Sequence, residues 1–198
     1  MKIDKIIKKI LLEETQGISS FMDEMSEKFE MSEELKNFVQ KFIEESECKK
    51  IEFANFNIPV LGLALSDGVL INKFALNNKL EFFLFVVLHE VAHQYQFKKY
   101  GEEYMYDCYL GDISDEVAAK FMKNTEEVAD EFAGRKIRQL QKLNLINKNF
   151  TAPQMYKSVP LNQIIQMIRQ YRNQMERQNI DSPEKISEFF YNMVKSNL

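Results

Sequence analysis

Histidine is almost missing from this chain, with two in 198 residues. Cysteine is as scarce: Cys48 and Cys108 lie far apart, outside any ligand-like spacing. Two such thiols specify no disulfide framework, so the fold must rest on a buried core and the thiols are expected to be reduced. Long apolar runs are absent too. The longest strongly apolar stretch, Phe82 to Leu88, is seven residues, far below the roughly 20 that a membrane-spanning helix needs. Residues 1–12 alternate charged with apolar side chains and lack both an uninterrupted apolar run and a small-residue cleavage site, which reads as an amphipathic helix and not an export signal. Nor is there an excess of positive charge. Lys and Arg number 26 against 30 Asp and Glu, for a net charge of −4, which argues against a general nucleic-acid binder. The expectation is a soluble cytoplasmic protein with no membrane partner, and a hydrophobic content of 45% is enough for one sizeable core with a helical appendage.

What the chain does contain is a concentrated use of its two histidines. His89-Glu90-Val91-Ala92-His93 spells HExxH. Positions four apart on an α-helix lie about 40° apart around the axis, so both imidazoles can reach one metal ion from the same face. Zn²⁺ suits neutral imidazole nitrogen and tetrahedral geometry, and Glu90 is then placed to take a proton from an acidified water. The segment Lys79 to Leu88 enters the motif without Gly or Pro, and Val91, Ala92 and Tyr95 continue the apolar pattern to about Lys99. One long buried helix is expected. The plain alternative is a pair of half-buried histidines on a surface helix.

A further protein ligand must come from elsewhere, and the segment 124–133 offers the best carboxylates. Thr125 is expected to cap a helix with an acidic first turn. Glu126 and Asp130 then share a face, while Val128, Phe132 and Ile137 mark positions that can face a core. Glu126 could bind the metal while Asp130 accepts the free N–H of a ligand histidine and fixes its tautomer. Glu127 could also reach a metal, and a solvated acidic helix start would explain the same residues without one.

His89-Glu90-x-x-His93 followed by Glu126-x-x-Ala129-Asp130 resembles the gluzincin metallopeptidases. With Leu70-Ile71-Asn72 ahead of the first motif and Phe132-Ala133 after the second, residues 58–140 look like the ImmA/IrrE type. The resemblance implies a zincin-like core holding one Zn²⁺ per chain on His89, His93 and Glu126, with Asp130 behind a ligand and Glu90 as general base. It also implies a protein or peptide target, one regulatory protein that is cleaved or simply bound.

Read for organisation, the chain opens with helices at about 2–15, 18–30 and 32–47. Strands follow at about 50–56, 60–65 and 69–74, the last two joined by the turn Ser66-Asp67-Gly68. An α+β fold is expected, mostly helical, with a small three-stranded sheet packed on the motif helix. The division is 1–47, 48–147 and 148–198, the outer two being helical extensions. Val69, Leu70, Ile71 and Asn72 are the candidate edge strand for holding an extended peptide by strand addition. The tyrosine-rich segment 100–111 could supply a donor to a developing oxyanion, though packing explains most of it better. Helices at about 161–178 and 183–196 carry Arg169, Arg172 and Arg177, which read first as a solvated face and second as a phosphate-binding patch.

The reading is a soluble zinc metalloprotease with Glu90 as its base. Its rivals are a binding or regulatory module that keeps the metal but acts through a protein partner, and an interaction protein whose helical ends, 1–47 and 160–198, do the docking.

Overall fold

The computed structural model describes residues 17–111 and 113–195. The helix expected over 2–15 lies outside them. A helix covers 17–29 (α1), and α2 follows at Glu33–Glu45. Ser32 caps α2 by accepting the Leu35 N–H at 3.3 Å, with Glu33 and Glu34 in the first turn where the helix dipole favours them. Leu35, Val39, Phe42 and Ile43 recur at helical spacing and are buried.

Three strands follow: β1 (Ile51–Ala54), β2 (Gly62–Leu65) and β3 (Gly68–Asn72). Their order is β1-β3-β2, with β1 parallel and β2 antiparallel to β3. Val69, Leu70, Ile71 and Asn72 therefore do not form an edge. They lie in the central strand, buried at every position, as an unbroken apolar run that is covered on both faces should be. The sheet's edges are β1 and β2.

A 3₁₀ turn over Lys73–Asn77 leads into α3 (Leu80–Tyr100), which is buried continuously from Phe83 to Gln94. A helix that is apolar on all sides belongs at the centre of a fold. Here β2 and β3 pack on one side of α3 and the long helix α5 on another. Gln94 fixes this sandwich from within, its amide donating to Leu65 O at 2.8 Å and Gly68 O at 3.2 Å across the β2–β3 turn. The architecture is α+β, as expected.

The tyrosine-rich segment forms α4 (Glu102–Leu110), bracketed by Gly101 and Gly111 at φ 84° and 85°, where a side chain would be strained. Tyr106 is buried, and its hydroxyl meets Ser187 Oγ at 2.8 Å and accepts the Ser66 N–H at 3.3 Å, a structural role.

Helix α5 runs from Asp115 to Lys142. Thr125 is thus an interior residue, not a cap, and its hydroxyl donates to Met122 O at 2.8 Å. The cap is Ser114, which accepts the Val117 N–H at 3.3 Å ahead of Asp115 and Glu116. Two cap-like signals compete in this stretch, and the upstream one prevails because Ala118, Ala119 and Met122 extend the buried stripe towards it. Val128 is 44% exposed and does not face the core, whereas Ile137 does. The side of α5 that meets α3 is largely small, with Ala129 and Ala133 fully buried, so the two backbones approach closely.

Helices α6 (Leu161–Arg177) and α7 (Pro183–Lys195) pack on α5 and α4 respectively. Arg169 and Arg172 reach Asp115 at the start of α5, at 2.5 Å and 2.8 Å, as an interhelix clamp, while Arg169 and Arg177 remain exposed on the solvated face of α6. Cys48 and Cys108 are buried, unpaired thiols. Among the described residues, no helix is long and apolar enough to cross a membrane.

Candidate metal centre

Helix α3 presents His89, Glu90 and His93, and α5 presents Glu126 and Asp130. The ligand atoms of His89, His93 and Glu126 all lie within 4.8 Å of one another. His89 Nε2 is 3.1 Å from Glu126 Oε2 and 3.2 Å from His93 Nε2, and His93 Nε2 is 3.6 Å from Glu126 Oε2. Glu127 points elsewhere, 3.8 Å from Lys123, both of them half-buried.

The hydrogen bonds behind these atoms fix their protonation. Asp130 Oδ1 lies 3.0 Å from His89 Nδ1, and a carboxylate can only accept, so Nδ1 carries the proton. On His93 the chain is one step longer. Gln96 Nε2 donates to the Thr125 carbonyl at 2.8 Å, which leaves Gln96 Oε1 to accept from His93 Nδ1 at 2.8 Å. In the neutral ring both Nε2 atoms are then bare lone pairs, converging with a carboxylate oxygen. Three acceptors facing one another without a donor repel unless a cation lies between them. Donors on a tetrahedral zinc at about 2.0–2.1 Å are spaced roughly 3.3–3.4 Å apart, and the observed triangle brackets that figure.

Without a metal, protons would have to supply the cation. His89 is pushed up to about 10: burial opposes its charge, but the hydrogen bonds to Asp130 and Glu126 outweigh it. His93 is also raised, burial again opposing and Glu126 prevailing. Glu126 is lowered far below the usual carboxylate range, the two histidines overcoming its burial.

Glu90 is no part of this triangle. It is buried beneath β2, where a methyl group on Gly62 would fall 2.4 Å from Glu90 Cγ and 2.6 Å from Oε1. Its carboxyl is raised, first by burial and also by Glu126, against the pull of His89, His93 and the Ala64 backbone N–H. That is the condition of a carboxylate made more basic than one in water.

Sequence reasoning missed Tyr156. The coil after α5 returns to the site, and the Tyr156 N–H donates to Asp130 Oδ2 at 3.1 Å. Its ring lies nearly parallel to His89, at 16° and 6.3 Å between centroids. Asp130 thus ties a histidine and a tyrosine to one carboxylate. The phenol is held in its neutral form, chiefly by the nearby charge of Glu126 and then by burial. Gln96 was missed as well, although its position one turn after His93 is a readable signal. The segment 100–111 contributes Tyr106 and Tyr109 to the walls of the adjoining cavity.

No family model, curated protein or solved structure matches the chain.

Proposed function

We propose that the protein is a zinc-dependent peptidase of the gluzincin type, with His89, His93 and Glu126 holding the metal and Glu90 as general base. The observation that carries this reading is the convergence of three lone-pair atoms at zinc spacing beside a buried carboxylate that is not one of them. The spelling HExxH and Glu-x-x-Ala-Asp, with its resemblance to the ImmA/IrrE type, supports the same assignment. Zinc bound there supplies Lewis acidity, acidifying a water and polarising a peptide carbonyl.

Each step on the protein side has a residue. Glu90 takes a proton from water at its carboxylate and passes it to the leaving amine. The Tyr156 hydroxyl donates to the carbonyl oxygen as it gains negative charge, a role that needs a neutral phenol. The edge strand β2, lying over Glu90, can pair with an extended peptide and bring its carbonyl to the site, so strand addition moves from β3 to β2. A closed structural zinc site would have a fourth protein ligand and no use for a base, and among the described residues the metal-binding group has three members. The buried unpaired thiols fit a reducing, cytoplasmic setting.

The reading is tested by metal removal. Treatment with phenanthroline should abolish hydrolysis of an unstructured protein such as casein, and one equivalent of Zn²⁺ should restore it. Hydrolysis that survives complete zinc removal would contradict the proposal.

A further inference from the structure

The segment after α5 folds back along that helix as a strap, tied to it at intervals. The Gln141 amide donates to Phe150 O at 2.7 Å, Asp130 Oδ2 accepts the Tyr156 N–H at 3.1 Å, and Lys123 Nζ donates to Val159 O at 2.8 Å. Between the first two ties, residues 152–154 make no hydrogen bond to α5 among the described residues, and a cavity of about 230 Å³ opens there. One wall is the strap itself. The other is α5, with Asp130, Glu131, Arg135 and Arg138. Arg138 lies at the seam, since its Nη1 and the Ala152 Cβ would stand 3.5 Å and 3.6 Å from a methyl group on Gly134. Among the described residues it has no carboxylate partner. Arg135 meets Glu131 at 3.8 Å, a distant pair with both side chains mostly exposed.

We propose that this cavity binds a phosphoryl group, held by Arg138 and Arg135, and that the bound anion ties the slack stretch of the strap to α5 and so fixes Tyr156 beside the metal centre. Side chains three apart share one face of a helix. Two guanidinium forks side by side suit a tetrahedral dianion, which has oxygens for both, better than a planar carboxylate that one fork satisfies. From the strap, Gln154 offers its backbone N–H and its side-chain amide, neither of them engaged among the described residues. The two acids in the wall do not cancel this. Asp130 has both oxygens occupied, Oδ1 by the His89 ring N–H and Oδ2 by the Tyr156 N–H. The Glu131 side chain is 66% exposed and turns to water when the anion takes Arg135. At a volume below the usual range for drug-sized ligands, the cavity suits inorganic phosphate or the phosphate end of a small ester. Gln154 is two residues from Tyr156, whose N–H shares Asp130 with His89, so an anchor at 152–154 steadies the phenol. The use of that phenol as an oxyanion donor rests on the peptidase reading above, and the binding of the anion does not.

The test titrates the zinc-loaded full chain with inorganic phosphate, glycerol 3-phosphate and acetate by calorimetry. Phosphate should bind with a Kd of about 1 mM or below, and Arg138→Gln or Arg135→Gln should weaken it at least about tenfold. Both side chains are exposed, so neither change disturbs the core. Inorganic phosphate bound more tightly than glycerol 3-phosphate assigns the site to the free ion, and the reverse order assigns it to an ester. No phosphate binding at about 10 mM, or acetate bound as tightly as phosphate, would overturn the site. Phosphate binding that survives both arginine variants and vanishes in His93→Ala would place the anion on the metal and also overturn it. The link to Tyr156 is read from hydrogen exchange in protein labelled with ¹⁵N-tyrosine, where one of eight amides is Tyr156 and is identified by its loss in Tyr156→Phe. Saturating phosphate should slow exchange of that amide about tenfold in wild type and leave it unchanged in Arg138→Gln. Phosphate bound with the Tyr156 amide exchanging at an unaltered rate would overturn the link. If the protein holds no zinc, the peptidase reading fails while the phosphate titration and the Tyr156 amide still decide this site.

Discussion

Gly62 and Glu90 are in such close approach that the strand residue has no room for a side chain: a Cβ there would fall 2.4 Å from Glu90 Cγ. The Glu90 carboxylate is therefore positioned from above by the backbone of β2 and from below by α3. Gly62→Ala should push the carboxylate aside while leaving the three metal ligands alone. We expect full zinc content with kcat lowered by about 100-fold, the scale of a misplacement near 1 Å. Steady-state kinetics beside elemental analysis checks this, and unchanged kcat would show that Glu90 has freedom the structure does not give it.

Tyr156→Phe removes one hydroxyl and keeps the ring against His89. Zinc affinity and KM should hold, and kcat should fall by about 10²- to 10³-fold, as loss of an oxyanion donor does. A matching rise in KM with kcat intact would assign the phenol to ground-state binding instead.

The groups behind the metal should rank in a zinc titration. Glu126→Ala should lose affinity most severely, since it leaves only two protein ligands. Asp130→Asn and Gln96→Leu should each weaken zinc by roughly 10- to 100-fold, because the first removes the negative charge behind His89 and turns an amide NH₂ toward one of the two donors that Asp130 now accepts, and the second removes the acceptor of His93 Nδ1. Glu127→Ala, whose partner is the half-buried Lys123 outside the triangle, should do little. A costly Glu127 would mean that α5 is rotated from the face described.

The metal-free protein should depend on pH in a defined sense. His89 is raised from 6.5 to about 10 on folding, so its contribution to stability is fully present below 6.5 and lost as the pH rises through about 10. Thermal denaturation of chelator-treated protein should accordingly show Tm falling across that window. The zinc form, in which the metal replaces the proton, should fall less. Zinc binding in the lower part of the window should release at least about one proton per ion, measured by calorimetry in buffers of different ionisation enthalpy. Binding without proton release would contradict the protonated state of the metal-free triangle.

The motif helix was legible because an unbroken apolar run leads into His89 and places both histidines on one face. Glu126 and Asp130 were legible for the same reason, one turn apart, even though the start of α5 was misplaced by a second cap at Ser114. The position of β3 was not, because strand order depends on the non-local pairing of Ile51 with Val69. Gly62 and Tyr156 carry no periodicity at all. Each acts through an approach between distant parts of the chain, Gly62 to Glu90 and Tyr156 to Asp130, that only the folded molecule shows.

The central claim is that Glu90 moves the proton in a zinc-dependent hydrolysis, and the most direct measurement is peptide turnover by Glu90→Gln at equal zinc loading. Glutamine keeps the size and polarity of the buried group but cannot act as a base. The account predicts one zinc per chain in both proteins and turnover reduced by about three orders of magnitude or more in the variant. Equal turnover by the two proteins at equal zinc content would contradict it.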